Sequence, residues 1–197
     1  MKKMLENIDF KKDRPFIELS YEVLKSLSDK CFADGKLDLE IATLIYEELK
    51  LRKSSNSKKL LSEVKLKFFL ANHEPIKWLK EARKVIKTIK KVDASPKYTN
   101  SIYTILRDGY TDKNQKYGVY VGQTSKTIEE RFKEHKSGIN AARGLEKYGI
   151  QLLRSLWLYG KVKGSKRLCY ETKVHKKLEE VVPKVSGDIK SDEVDKS

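Results

Sequence analysis

Two runs decide the fold: Ser101-Ile102-Tyr103-Thr104-Ile105-Leu106-Arg107 and Tyr117-Gly118-Val119-Tyr120-Val121-Gly122-Gln123. Both are rich in β-branched and aromatic residues, which favour a pleated, half-buried surface. Between them lies Asp108-Gly109-Tyr110-Thr111-Asp112-Lys113-Asn114-Gln115, whose Asp, Gly and Asn residues favour a turn. The pattern predicts an antiparallel hairpin that sets Tyr103 and Tyr120 on neighbouring strands. Gly122 marks a bulge or a place where something approaches the backbone closely.

Downstream, Thr127 with Glu130 forms a capping-box signature, and Ile128, Phe132 and Ile139 mark the buried side of the helix that follows. A further helix is expected over 140–148, ended by Gly149 as a C′ residue. Leu156-Trp157-Leu158-Tyr159 supplies a third strand, Ser165 to Glu180 a helix, and Pro183 to Val185 a last short strand. The expectation is an α+β domain: a three-stranded, mostly antiparallel sheet flanked by helices.

Upstream the chain reads as all-α. An apolar stripe over 17–27 predicts one helix, and Asp38 caps a second that runs to Leu51. A third is expected over 57–71 and a fourth over 75–92, with Pro75 in its first turn. The turn at Asp34-Gly35 is no calcium loop, because Lys30 and Phe32 stand where ligand oxygens belong. Pro96 biases Ser95 away from helix. The division is therefore 1–95 as a helical accessory domain, 96–188 as the α+β domain, and 189–197 as a flexible polar tail.

The 197 residues carry 43 Lys and Arg against 28 Asp and Glu, a formal net charge of +15, so a polyanion is the first partner to consider. The distribution is sharper than the total. Residues 1–49 hold 8 basic and 11 acidic side chains, whereas 50–91 hold 14 basic and 3 acidic, which reads as a phosphate-facing surface. Two cysteines, Cys31 and Cys169, exclude a disulfide scaffold and a cysteine-based zinc site of the usual spacing. No run is long enough to span a bilayer, and the reading is a soluble, cytoplasmic protein with no membrane partner.

Cutting a phosphodiester takes a base, a phosphate clamp and a metal ligand, and Tyr103, Tyr120, Arg131, His135 and Glu171 supply the residue types. Arg131 and His135 lie four apart on one helix, so they share a face. Each has a bland explanation on its own: strand tyrosines usually pack, a lone histidine is usually bonded to a carbonyl, and a helical glutamate is usually solvated.

Taken in order, the segment resembles the GIY-YIG nuclease family. The first motif stands as Ser101-Ile102-Tyr103 and the second as Tyr120-Val121-Gly122, followed by Gln123-Thr124, Glu130-Arg131-Phe132, His135 and, later, Glu171. The likeness covers residues 100–188. Serine stands where the first motif has glycine, and the sixteen residues from Thr104 to Val119 are more than the family usually places there. The resemblance implies an endonuclease that hydrolyses DNA phosphodiester bonds. Tyr103 would be the general base or hold the attacking water, with Tyr120 supporting it. Arg131 would clamp the phosphate, His135 would assist proton transfer or contact phosphate, and Glu171 would bind one Mg²⁺ or Mn²⁺. Lys116, Gln123, Lys133 and Arg143 are the expected nucleic-acid contacts. One active site per domain makes a homodimer one route to a double-strand cut. The alternative is a non-catalytic DNA-binding or adaptor protein that keeps the fold, with the acidic first segment binding a protein partner.

Overall fold

The computed structural model describes residues 2–33, 37–89, 98, 100–109, 116–142, 144–156 and 159–187. The chain divides into two compact units, Met1–Leu79 and Lys80–Ser197.

The first unit is helical: α1 (Lys2–Leu5), α2 (Tyr21–Cys31), α3 (Leu39–Leu51) and α4 (Ser55–Leu70). Serine and aspartate side chains start the three longer helices. Ser20 accepts from the Val23 amide at 3.3 Å, Asp38 from Ile41 at 3.1 Å, and Ser54 from Ser57 at 3.2 Å. The Ser20 cap is why the first long helix begins at Tyr21, four residues later than the apolar stripe predicts. Helix α3 packs against both α2 and α4 and is buried on nearly every side, as its Leu39, Ile41, Leu44, Ile45 and Leu49 require. Glu48, also buried on α3, accepts from Arg14 Nη2 at 2.8 Å and Arg52 Nε at 2.8 Å. Burial pushes its pKa up, but the two arginines outweigh that and hold the carboxyl below its ordinary range. Pro75 does not open a helix. The Ile76 amide is instead spent on Thr43 Oγ1 at 3.0 Å, and α5 (Leu79–Lys87) starts after it.

In the second unit β1 (Asn100–Arg107) and β2 (Gly118–Thr124) form the expected antiparallel ladder, pairing Tyr103 with Gly122 and Ile105 with Tyr120. The free edge of β1 is shared by β3 (Gly149–Leu152), which pairs along Ile105–Arg107, and β4 (Tyr159–Val162), which pairs at Asn100 and Ile102. A turn of 3₁₀ helix, Arg154–Leu156, separates them, so one sheet position is filled by two strand segments. On the other side β5 (Val185–Ser186) adds to β2 in parallel. The sheet is therefore mixed, with four positions across, and not three-stranded. Of the strand expected over 156–159, Leu156 closes that 3₁₀ turn, Tyr159 opens β4 and 157–158 lie outside the described residues, and the two-residue C-terminal segment joins the sheet.

Helix α6 (Ile128–Lys136) carries the predicted capping box: Thr127 Oγ1 accepts from the Glu130 amide at 3.2 Å, and Glu130 Oε2 from the Thr127 amide at 3.1 Å. The helix expected over 140–148 shrinks to α7 (Leu145–Tyr148), because Asn140 at φ +48° and Gly144 at φ +79° hold left-handed backbone that no right-handed helix passes through. Gly149 is not a left-handed C′ residue either. Its φ is −68°, and it is glycine because a Cβ there would lie 2.6 Å from the Leu145 carbonyl oxygen. Helix α8 (Arg167–Glu179) packs against β1, β2 and β5. Among the described residues, no helix is long and apolar enough to cross a membrane.

Candidate active site

Residues paired across neighbouring strands share a face of the sheet. The β1–β2 register therefore puts Tyr103, Ile105, Tyr120 and Gly122 on one face, against which Leu145, Ile128, Phe132 and Ala142 pack. The two tyrosine rings meet diagonally, with centroids 6.2 Å apart. Gly122 makes that possible. A Cβ at this position would lie 2.7 Å from Tyr103 Oη and 2.6 Å from Tyr120 Cε1, so the missing side chain is the space the phenols occupy.

Helix α6 brings His135 onto this face. It is completely buried, and its Nε2 lies 2.7 Å from Tyr103 Oη. Its other nitrogen, Nδ1, accepts from the Ala142 amide at 3.3 Å. A backbone N–H can only donate, so Nδ1 carries no proton and the proton of the neutral ring sits on Nε2. His135 therefore donates to the Tyr103 oxygen. Burial, and then the Arg131 charge, lower its pKa to about 4, so the ring is neutral at pH 7. This corrects the bland expectation for a lone histidine, since its partners are a phenol and an amide, not a carbonyl.

Arg131, one turn before His135, is anchored at two points. Nη1 donates to Glu134 Oε2 at 3.0 Å and Nη2 to the Asn140 carbonyl at 3.0 Å. Glu134 is also held by Lys126. Burial works against the Arg131 charge, but Glu134 and the two tyrosine hydroxyls outweigh it and raise its pKa. A tyrosine, with an ordinary pKa near 10, serves as a base at neutral pH only where nearby positive charge lowers it. The balance runs the other way: burial pushes the phenol up, Tyr120 adds to it, and Arg131 offsets only part. At rest Tyr103 is a neutral phenol.

The structure thus gathers Tyr103, Tyr120, Arg131 and His135. Glu171 stands on a different element, buried on α8, with His175 one turn along and also buried. Among the described residues, no group of three or more His, Cys, Asp or Glu side chains is placed to hold a metal ion. That argues against a closed zinc-type shell among them. A single carboxylate fits Mg²⁺ better, because that ion wants oxygen ligands and keeps several waters. Gln123, paired with Ile102, lies on the other face of the sheet from the tyrosines, and its buried Oε1 accepts no hydrogen bond among the described residues.

Of the expected nucleic-acid contacts, Lys133 is exposed on α6, Lys116 is half-buried over the Tyr117 ring at 5.9 Å, and Arg143 lies outside the described residues. Arg107 was not foreseen. Strand alternation puts it on the tyrosine face, where Nη1 donates to Ser186 Oγ at 3.3 Å and the guanidinium stands 6.0 Å from the Tyr148 ring. The period-two pattern 103, 105, 107 was the available signal. The amide of Ala142 and the carbonyl of Asn140, which fix His135 and Arg131, are backbone groups and leave no trace in residue type.

Comparison with known proteins found no matching family model, no matching curated protein and no matching solved structure.

Proposed function

We propose that the second unit is a metal-dependent endonuclease that hydrolyses DNA phosphodiester bonds, in keeping with its resemblance to the GIY-YIG nucleases. The observation that carries this reading is the convergence of two phenols, an oriented imidazole and a guanidinium on one face of the sheet. Arg131 clamps the scissile phosphate and stabilises charge developing on it. With its own proton released to solvent, Tyr103 takes the proton of the attacking water as that oxygen bonds phosphorus and the P–O3′ bond breaks, the 3′-oxygen then taking a proton from solvent. The Nε2–H of His135 and the charge of Arg131 both favour that phenolate, whereas burial opposes it. Tyr120 supports the water. His135 thus acts as a donor to the base and not as the base itself. A divalent ion held at Glu171 would stabilise the departing 3′-oxygen.

The test is nicking of supercoiled plasmid in Mg²⁺, with Glu171→Ala and Arg131→Ala beside the wild type. Both variants should lose nicking, and Glu171→Ala should still bind DNA. Equal cleavage by wild type and Glu171→Ala would remove Glu171 from the metal site.

One observation favours a second reading. Tyr103 is 1% exposed and His135 is fully buried, which also suits a packed core in a DNA-binding domain without catalysis. That reading expects plasmid binding with no nicking in either Mg²⁺ or Mn²⁺.

A further inference from the structure

Helix α4 buries Leu60, Val64 and Phe68 within the first unit, yet its opposite face is also apolar at its C-terminal end. Leu66 is 55% exposed, Phe69 78% and Leu70 72%. At positions i, i+3 and i+4 these three side chains form one contiguous stripe. Single exposed apolar residues are ordinary, whereas a stripe of three that includes a phenylalanine marks a contact surface. Lys58, Lys59 and Lys65, all exposed, border it along one edge and towards the N-terminus of the helix.

We infer that this face docks an amphipathic segment of another protein, with apolar anchors at helical spacing flanked by Asp or Glu. The charge pattern selects that occupant. A second copy of the chain meeting this face across a two-fold axis would offer Lys58, Lys59 and Lys65 only the single carboxylate of α4, Glu63. A nucleic-acid backbone would satisfy the lysines but would leave Leu66 and Leu70 against phosphate. A bilayer would meet only three apolar side chains, because the other face of α4 is already buried. An acidic amphipathic helix satisfies the stripe and its border together, in the manner of helix-in-groove recognition. This inference does not rest on the nuclease reading, because it concerns the first unit alone.

The test is selection of the full-length protein against a displayed library of amphipathic helical peptides whose flanks are either acidic or basic. Selected peptides are then titrated by fluorescence anisotropy. Acidic-flanked peptides should be enriched. Phe69→Ser with Leu70→Ser should weaken their binding about tenfold or more, with the circular dichroism spectrum and melting curve unchanged because both side chains already face water. Lys58→Glu with Lys65→Glu should shift the preference towards basic flanks. Equal enrichment of the two flank classes, or binding indifferent to the Phe69 and Leu70 substitutions, overturns the proposal. So does loss of peptide binding in favour of flotation with phosphatidylserine vesicles, or self-association of the wild type that Phe69→Ser abolishes.

Discussion

His135 is held by two bonds that together dictate where its proton sits. The Ala142 amide occupies Nδ1, so Nε2 must carry the hydrogen that reaches Tyr103. Nitrogen-15 NMR of the histidines at pH 7 should therefore show an Nε2–H tautomer for His135; an Nδ1–H tautomer would contradict the proposed geometry. The low pKa has a consequence for stability. Its folded value of about 4 lies below an unfolded value near 6.5, so between those limits the unfolded chain binds more protons. Stability is then complete above the unfolded pKa and falls as pH drops through the folded one, by about 3 kcal/mol in all. His175, also lowered by burial, pulls in the same direction. His135→Gln should flatten this dependence, read as the pH profile of chemical denaturation, and an unchanged profile would rule out the assignment. Gly122 offers a separate test. Gly→Ala within a strand is ordinarily tolerated, yet here it should cost about 1–3 kcal/mol by overpacking the phenols, measured by thermal melting.

Between residue and fold stands the segment from Gly138 to Ala142, which binds Arg131 through one carbonyl and His135 through one amide. Asn140 sits at φ +48°, a conformation asparagine tolerates and β-branched residues do not. Asn140→Val should cost about 1–3 kcal/mol and weaken phosphate binding, whereas Asn140→Gly should preserve both; equal effects of the two would exclude backbone strain as the cause. This segment also marks where sequence reading stops. The hairpin ladder was legible because strand alternation is local, although its turn over 110–115 lies outside the described residues, and the α6 cap because its two side chains close on each other within three residues. The division of one sheet position between β3 and β4 was not, since it depends on how residues 149–162 meet β1 some fifty residues away. Nor was the strength of burial around Tyr103, which outweighs the Arg131 charge in setting its pKa and only appears once the elements are packed.

At the scale of the molecule, the basic excess of residues 50–91 resolves into two surfaces. On α4 the lysines border an apolar stripe. On α5 the exposed Lys80, Lys84 and Lys87 recur at i, i+4 and i+7 opposite the buried Leu79, Ala82 and Ile86, which is the pattern of a solvated basic face, and the proposed nuclease would turn that face to phosphate. Neutralising those three should lower the salt slope of DNA binding by about 0.9 for each phosphate that is no longer paired with a lysine, whereas Lys58→Glu with Lys65→Glu should leave it unchanged; the reverse outcome would exchange the two assignments. The central claim is that the face shared by Tyr103, Tyr120, Arg131 and His135 cleaves a phosphodiester. The most direct measurement is a product map on an end-labelled DNA duplex in Mg²⁺, comparing wild type with Tyr103→Phe. The account predicts 5′-phosphate and 3′-hydroxyl ends from the wild type, at a rate that climbs with pH as the Tyr103 proton is lost, and no product from Tyr103→Phe. An intact duplex with the wild type, or the same products at the same rate from Tyr103→Phe, would contradict it.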